Sequence, residues 1–244
     1  QPQQSKYIQD YQGVHVDTVR NVVNVSPTLD FRYRFSKMSN LRINYRGTTS
    51  QPSISQLLDI TDNSDPLNIS MGNPGLKPSF TQNFRLFYNN FVQNHNKGIM
   101  TFVNFSTTNN SISNKVTYDE KTGGRITRPE NINGNWNAMG AFMFNCSLDS
   151  AGIWNINTGA HANYNNYVSY LSLDKKSDSQ KNTTRSITWR QNLSFSYRND
   201  WAEFSLDGTL TYNKAKNKLQ PTSNLETWQF SYGPSMTLTA PWGT

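Results

Sequence analysis

A set of arginines recurs at alternate positions of short segments that otherwise carry uncharged residues. A guanidinium group stays charged at physiological pH, and it binds carboxylate or phosphate oxygens through paired hydrogen bonds. Arginines gathered on one side of a fold could therefore attract an anionic substrate or hold a second domain. The set comprises Arg32, Arg34, Arg42, Arg46, Arg85, Arg190 and Arg198.

A plainer interpretation of these arginines needs no ligand. They would be solvated charges, with Asp30, Glu203 and Asp207 as counter-ions in the same segments. The sequence leaves both interpretations open.

No catalytic or metal-binding arrangement accompanies the arginines. His15, His95 and His161 are isolated from one another and lack the spacing of a nucleophile triad or a zinc site. The single Cys146 has no disulfide partner in the chain and no metal-ligand neighbours. Glycine-rich phosphate loops, HExxH and CxxC motifs do not occur. We therefore expect neither an enzyme nor a cofactor site.

Composition narrows the class of protein. Aromatic residues make up 13% of the 244 residues and charged residues 16%, a mix unusual for helical folds. The mean hydropathy is −0.73, and no run of about 18 apolar residues could form a spanning helix. The net charge of +7 is spread along the chain without a basic cluster, which argues against nucleic-acid binding.

Apolar and polar residues alternate over much of the chain, as in β-strands with two unlike faces. In the first such segment, Leu29, Phe31 and Tyr33 alternate with Asp30 and Arg32. The alternation predicts strands at 23–35, 41–45, 80–91, 98–107, 136–148, 154–164, 187–197, 204–212 and 228–238.

The connections between these strands are alternately short and long. Short turns at 36–40, 93–97, 149–152 and 199–200 alternate with long polar loops at 47–78, 108–134, 172–184 and 213–225. Within the first long loop, Ser53 could cap one helical turn, and Gly123 and Gly124 would form the tip of the second. This layout predicts an all-β fold, an antiparallel up-and-down transmembrane β-barrel with about nine strands in this chain.

A soluble β-sandwich would show a similar alternation, but two features favour a membrane wall. Every arginine of the set falls on the polar phase, where it would face the lumen and avoid the cost of about 2–4 kcal/mol for arginine at mid-bilayer. Large aromatic residues lie on the apolar phase towards strand ends, as in interfacial girdles. They are Trp136, Trp154, Tyr164, Trp189, Tyr197, Tyr212, Trp228 and Tyr232.

The odd strand count bears on domain organisation. Bacterial single-chain barrels have an even number of strands. We therefore expect residues 1–244 to be part of one barrel domain, with the remaining strands and any plug domain outside this chain. No signal peptide is recognisable at the start.

One segment carries a family resemblance. A strand ending at Tyr45 and Arg46 is followed by Pro52, Ser53, Gln56 and Leu57, and then by Gly-Asn-Pro-Gly-Leu-Lys-Pro at 72–78. In these motifs the chain resembles the TonB-dependent receptors of Bacteroidetes, in particular those described as outer membrane β-barrel proteins.

The resemblance implies a barrel of about 22 strands in the outer membrane of a Gram-negative bacterium. Such a barrel is filled by an amino-terminal plug, energised through TonB, and imports a nutrient that binds on the extracellular side. Its implied partners are outer-membrane lipid, the TonB system and a surface lipoprotein, and the arginines would contact plug or substrate. The alternative is a soluble all-β binding or adhesion module.

Overall fold

The computed structural model describes residues 2–11, 14–58, 61–62, 64–118, 123–173 and 177–239, with side chains from residue 24 onwards except His95. Most of these residues lie in strands. In chain order the elements are β1 (Pro2–Tyr11), β2 (Val14–Val23), β3 (Thr28–Ser36), β4 (Ser39–Ser50), α1 (Ile54–Leu57), β5 (Thr61–Asp62), β6 (Asn68–Met71), β7 (Ser79–Val92), β8 (Lys97–Asn109), β9 (Ser111–Tyr118), β10 (Arg125–Ile132), β11 (Asn135–Ser147), β12 (Trp154–Leu171), β13 (Gln180–Arg198), β14 (Ala202–Asn217) and β15 (Leu225–Leu238), with 3-10 turns at Asn94–Asn96 and Pro221–Ser223.

The main sheet has 9 strands in the order β15-β14-β13-β12-β11-β8-β7-β4-β3. Each strand pairs antiparallel with its neighbours. The order follows the chain, so the sheet is an up-and-down meander, which confirms the predicted fold class and all the predicted strands. β3 and β15 are its two outer strands, and they are not paired with each other. β1 and β2 form a separate antiparallel pair that alternation did not predict.

The first wall strand begins later than predicted. β3 starts at Thr28, whereas Val23 is the last residue of β2. Pro27 has no N–H with which to extend a ladder. Its carbonyl still accepts a hydrogen bond from the Gly47 amide at 2.8 Å, so the segment before β3 runs beside β4 without being a strand.

Several wall strands are longer than predicted, and the long loops beside them are correspondingly shorter. β4 runs on to Ser50, inside the predicted loop at 47–78. β12 reaches Leu171, β13 begins at Gln180 and β14 ends at Asn217. The extensions of β13 and β14 carry mainly polar residues on both faces, and that of β12 carries apolar residues on both, with Tyr167 and Leu171 on one face and Val168 and Tyr170 on the other. None of the three therefore shows apolar alternation, although their backbones remain paired. Within the predicted loop at 172–184, the charged residues 174–176 lie outside the described part.

One face of the main sheet is an apolar band. Residues paired across antiparallel strands lie on the same face, and the register places Thr158, Leu193, Gly208 and Tyr232 in one row. On β13 the band runs from Ile187 to Tyr197. At about 3.4 Å per residue and a tilt of about 40°, that length is about 25 Å high, the height of the apolar band in outer-membrane barrels.

Aromatic rings cluster at both limits of this band. Near the short turns, the ring of Trp154 lies 5.4 Å from that of Phe195 and 4.7 Å from that of Tyr197. Near the long loops, the Trp136 and Tyr164 rings are 4.8 Å apart and those of Tyr212 and Trp228 are 4.3 Å apart. The prediction was wrong for Tyr232, because its pairing with Gly208 places it at mid-height.

The opposite face is held by short polar side chains that bond across strands. Asn137 donates to Asn163 at 2.8 Å, Thr209 donates to Asn192 at 3.1 Å, and the Ser205 and Ser235 hydroxyls are 2.7 Å apart. Such a face is suited to a wet lumen, because its groups are satisfied by protein or by water.

The short turn between β11 and β12 is fixed by one carboxylate. Asp149 accepts hydrogen bonds from the amides of Ile153 at 3.1 Å and Trp154 at 2.7 Å. Gly152 has a φ of +73°, which favours glycine. The Trp154 amide, and then that of Ile153, lower the pKa of Asp149 below its ordinary value.

Charge placed on the two faces is expected to have unequal effects. Leu193→Arg puts a cation at mid-height of the apolar band and should destabilise the protein by about 2–4 kcal/mol. Ser194→Arg, one residue away on the polar face and opposite Asp207, should change stability by less than about 0.5 kcal/mol. Urea titration of folding into lipid vesicles, followed by heat-modifiable gel migration, measures both. Equal losses would show that the faces are wrongly assigned.

The Asp149 turn should weaken in acid. Because the folded-state pKa is lowered, its contribution to stability is complete above the unfolded pKa of about 3.9 and is lost as pH falls through the folded pKa. Wild type should therefore exceed Asp149→Asn in stability at pH 6, and the difference should shrink below about pH 4. Urea unfolding followed by tryptophan fluorescence tests this, and a pH-independent difference would contradict it.

Candidate functional site

The first two long loops fold together into one unit at the long-loop end of the wall. We call the described residues of 51–78 and 110–134 the loop platform. β9 and β10 form an antiparallel hairpin, β6 joins β10 in parallel, and β5 adds to β6. A sheet built from two separate loops holds each loop in place through the other.

The first loop contains the predicted helical turn α1. Ser53 accepts from the Gln56 amide at 3.3 Å, and the Gln56 side chain accepts from the Ser53 amide at 3.0 Å, which is a capping box. The Gln56 carbonyl accepts from the Asn73 amide at 2.6 Å. A Cβ on Gly72 would lie 1.6 Å from the Leu58 carbonyl oxygen, so only glycine allows this approach.

The Asn-Pro-Gly turn joins the two loops. The Asn73 side chain accepts from the Gly75 amide at 3.0 Å and donates to the Pro129 carbonyl of β10 at 2.8 Å. Arg128 also donates to Asn73, at 3.2 Å. The predicted turn is thus both a local bend and a contact between loops.

Asn131 makes a second link from the opposite side. Its amide oxygen accepts from the Lys77 amide at 2.7 Å. Its amide nitrogen donates to the carbonyls of Lys77 at 3.0 Å and Asn110 at 2.9 Å. One side chain therefore fixes the end of the first loop to the start of the second.

The platform also rests on the extended end of the wall. The amide of Ser179 donates to the Val116 carbonyl at 2.7 Å, and the amide of Tyr118 donates to Asp178 at 2.7 Å. The Tyr170 amide on β12 donates to Ser113 at 3.2 Å. Among the described residues, the buried hydrophobic side chains are Leu76, Ile132 and Val168, so the chain's water-excluding core lies in and beside the platform.

A polar cavity opens within the platform. Its volume is about 410 Å³, and it is lined by Ser55, Gln56, Leu58, Asp62, Ser70, Met71, Gly72, Asn114, Thr127 and Pro129. Hydroxyl and amide groups of this kind bind polar solutes through hydrogen bonds. Asp62 is already hydrogen-bonded to the amide and hydroxyl of Ser64. In the described part of the chain, no group of three or more His, Cys, Asp or Glu residues could hold a metal ion.

The predicted arginines all lie on the polar face. In the strand register, Arg32 lies opposite Arg42, Arg34 opposite Asn40 and Arg46 opposite Asn83. Arg85 lies opposite Asn104, and Arg190 lies opposite His161. Arg198 pairs with Glu203 on the same face of β14. The counter-ion interpretation holds for two of them, since Arg32 lies 2.8 Å from Asp30 and Arg198 lies 2.7 Å from Glu203.

A match to a protein family shows which environment the apolar band faces. Residues 5–240 match the profile of the outer membrane protein beta-barrel family. The chain belongs to that family. Its apolar face is therefore the lipid-facing side of a barrel wall and its polar face the lumenal side, and membership implies an outer-membrane location. Comparison with curated proteins and with solved structures finds no match.

The described residues contain no helix long and apolar enough to cross a membrane.

The barrel's loop platform was only partly foreseeable from sequence. The sequence predicted the helical turn at Ser53, but it predicted 108–134 as a loop, whereas Ile112, Val116 and Tyr118 lie on one face of the strand β9. The role of Asn131 was missed, because a single asparagine in a polar loop gives no signal of its two distant partners, Lys77 and Asn110.

Removing the Asn131 side chain should loosen the platform without affecting the wall. Asn131→Ala loses three hydrogen bonds, and we expect local opening to become easier by about 1–3 kcal/mol. Hydrogen exchange at 72–79 and 125–132 should speed up, while gel migration of the folded barrel stays unchanged. Asn109→Ala, at the exposed end of β8, is the control. Unchanged exchange in Asn131→Ala would contradict the linking role.

Proposed function

We propose that the chain forms wall and extracellular loops of a TonB-dependent receptor of the Bacteroidetes type that imports a nutrient across the outer membrane. The observation that carries the proposal is the platform, a pre-ordered polar surface at the long-loop end of a barrel wall. A binding surface that is ordered before the ligand arrives costs less entropy on binding.

The resemblance motif supports this proposal because its residues build the platform. Ser53 and Gln56 form the capping box, Gly72 permits close approach to Leu58, and Asn73 joins the loops. The motif therefore has a structural role at the surface where a receptor of this type meets its ligand.

The proposed receptor has no catalytic function and needs no cofactor. Its partners are outer-membrane lipid around the apolar band, a plug inside the lumen that connects to TonB, and a surface lipoprotein above the platform. Nucleic acid is not among them.

The apolar band argues against a soluble binding or adhesion module. Phe230 is 69% exposed, Tyr232 75% and Met236 66%, all on one face of β15. Monomeric soluble proteins rarely expose contiguous apolar patches of this kind.

Import is tested in the source bacterium. A strain lacking the gene is grown on a panel of single nutrient sources, and the gene is restored with and without functional TonB. We expect growth on at least one nutrient, supplied at limiting concentration, to require both the gene and functional TonB. The Asn131→Ala variant should weaken growth on that nutrient, and Asn109→Ala should not. Growth that needs the gene but not TonB, or a protein that fractionates away from the outer membrane, would contradict the proposal.

A further inference from the structure

We propose that the lipid-facing side of β13, β14 and β15 binds a phosphate-bearing lipid of the outer leaflet. The headgroup phosphate would lie between basic side chains above the apolar band, and an acyl chain would fill a groove within the band. The inference goes beyond nutrient import and depends only on the placement of the wall in the membrane. It is carried by a cationic cluster and by that groove.

The cationic cluster consists of Arg185, Lys214 and Lys216. Lys214 lies opposite Ile187 of the apolar band, and Arg185 lies directly opposite Lys216. Because side chains alternate between the two faces of a strand, all three lie on the same side as the band. The Cβ atoms of directly opposed residues are about 4.5–5.5 Å apart. One phosphate group can therefore contact both Arg185 and Lys216.

The cluster lies at the level of the lipid headgroups. Lys214 and Lys216 are two and four residues beyond Tyr212 towards the long loops. Arg185 is four residues beyond Trp189 in the same direction. At about 3.4 Å per residue and a tilt of about 40°, these positions are about 5–10 Å above the aromatic rings. Headgroups extend about 5–8 Å beyond the hydrocarbon core, and long loops mark the extracellular side.

The nearby carboxylate does not neutralise the cluster. Glu226 lies 2.7 Å from the Lys214 ammonium group, and its charge also acts on Lys216. One carboxylate beside three cations leaves a net charge of +2. Arg185 donates to the Asn166 amide oxygen at 3.2 Å. Neither Arg185 nor Lys216 forms a salt bridge in the described part of the chain, and both are exposed.

The cluster belongs to two neighbouring strands and is not a belt around the wall. The register row of Arg185 and Lys216 continues across β12, β11, β8, β7 and β4 with uncharged residues. They are Asn166, Trp136, Thr107, Gln82 and Gly47. General anchoring at the interface would distribute basic residues around the wall. Their grouping on β13 and β14 favours recognition of one headgroup.

An apolar groove lies in the band below the cluster. Gly208 stands between Leu193 and Tyr232 in one row, and because it has no side chain it leaves a gap there. The groove has a volume of about 500 Å³, and Phe195 and Phe230 also line it. A Cβ on Gly208 would lie 3.9 Å from the Leu193 carbonyl oxygen and no closer to other non-adjacent residues. The protein therefore leaves the floor of the groove open.

The cluster and the groove match the two parts of one lipid molecule. Gly208 lies eight residues from Lys216, which corresponds to about 20 Å in height. Half of a hydrocarbon core of about 30 Å, together with the headgroup layer, spans the same distance. A lipid whose phosphate lies at the cluster therefore has the ends of its acyl chains at the groove. Arginine and lysine bind phosphate oxygens through charge-assisted hydrogen bonds.

The test uses the full-length protein in phosphatidylcholine vesicles and measures quenching of tryptophan fluorescence by brominated acyl chains. One set of vesicles contains brominated phosphatidic acid, and the matched set contains the same fraction of brominated phosphatidylcholine. Trp189 and Trp228 lie between the cluster and the groove, so a lipid bound there quenches them. We expect the relative binding constant to favour phosphatidic acid about tenfold.

Three variants separate the site from general surface charge. Arg185→Gln/Lys216→Gln should remove most of the preference for phosphatidic acid, because the remaining Lys214 is bound to Glu226. Gly208→Leu fills the groove and should also lower the preference. Lys97→Gln is the matched control, since Lys97 lies on the lipid-facing side of β8 at the short-turn end. It should keep the wild-type preference, and heat-modifiable migration shows that each variant is folded.

Inorganic phosphate distinguishes a lipid site from a site for a soluble anion. Unlabelled phosphatidic acid should restore the fluorescence, whereas inorganic phosphate at the same total concentration should not. The proposal is overturned if the two brominated lipids quench alike, or if inorganic phosphate displaces the lipid. It is also overturned if the double variant or Gly208→Leu keeps the wild-type preference, or if Lys97→Gln loses it. None of these results bears on the growth test of nutrient import.

Discussion

The apolar band of the main sheet needs a non-aqueous solvent, and the rest of the structure depends on that need. Between its outer edges at β3 and β15, the sheet pairs its backbone groups within itself, as a structure inside a bilayer must. Because the side chains of the band have no second layer to pack against, lipid takes the place of a protein core. The aromatic rings at the two limits of the band then lie at the two membrane–water interfaces.

The same constraint explains where conventional packing occurs. Leu76, Ile132 and Val168 are buried in and beside the platform, above the height at which lipid covers the wall. There the chain must exclude water with its own side chains, and it does so by folding two loops against each other. Asn73 and Asn131 satisfy the backbone groups that this packing would otherwise leave unpaired.

Alternation was sufficient to predict the wall strands, because each position of the wall faces either lipid or the lumen. Alternation failed to predict strand ends where the two faces no longer differ in polarity. The far parts of β13 and β14 are mainly polar on both faces, and that of β12 has apolar residues on both. Pro27 precedes the start of β3, although the apolar alternation continues back to Val25 and Val23. The sequence was sufficient to predict that the arginines lie on the polar face. Which of them form salt bridges, as Arg32 and Arg198 do, depends on side-chain rotamers and on strand register.

The platform is joined to the wall through the ends of strands and through a few hydrogen bonds to β12 and residues 178–179. Lipid contact imposes no requirement on its outer surface. Substitutions on that surface are not limited by the need to stay apolar, so its sequence is free to diverge. Gly72, Asn73 and Asn131 are the positions at which such divergence should stop, because changes there dismantle the surface itself.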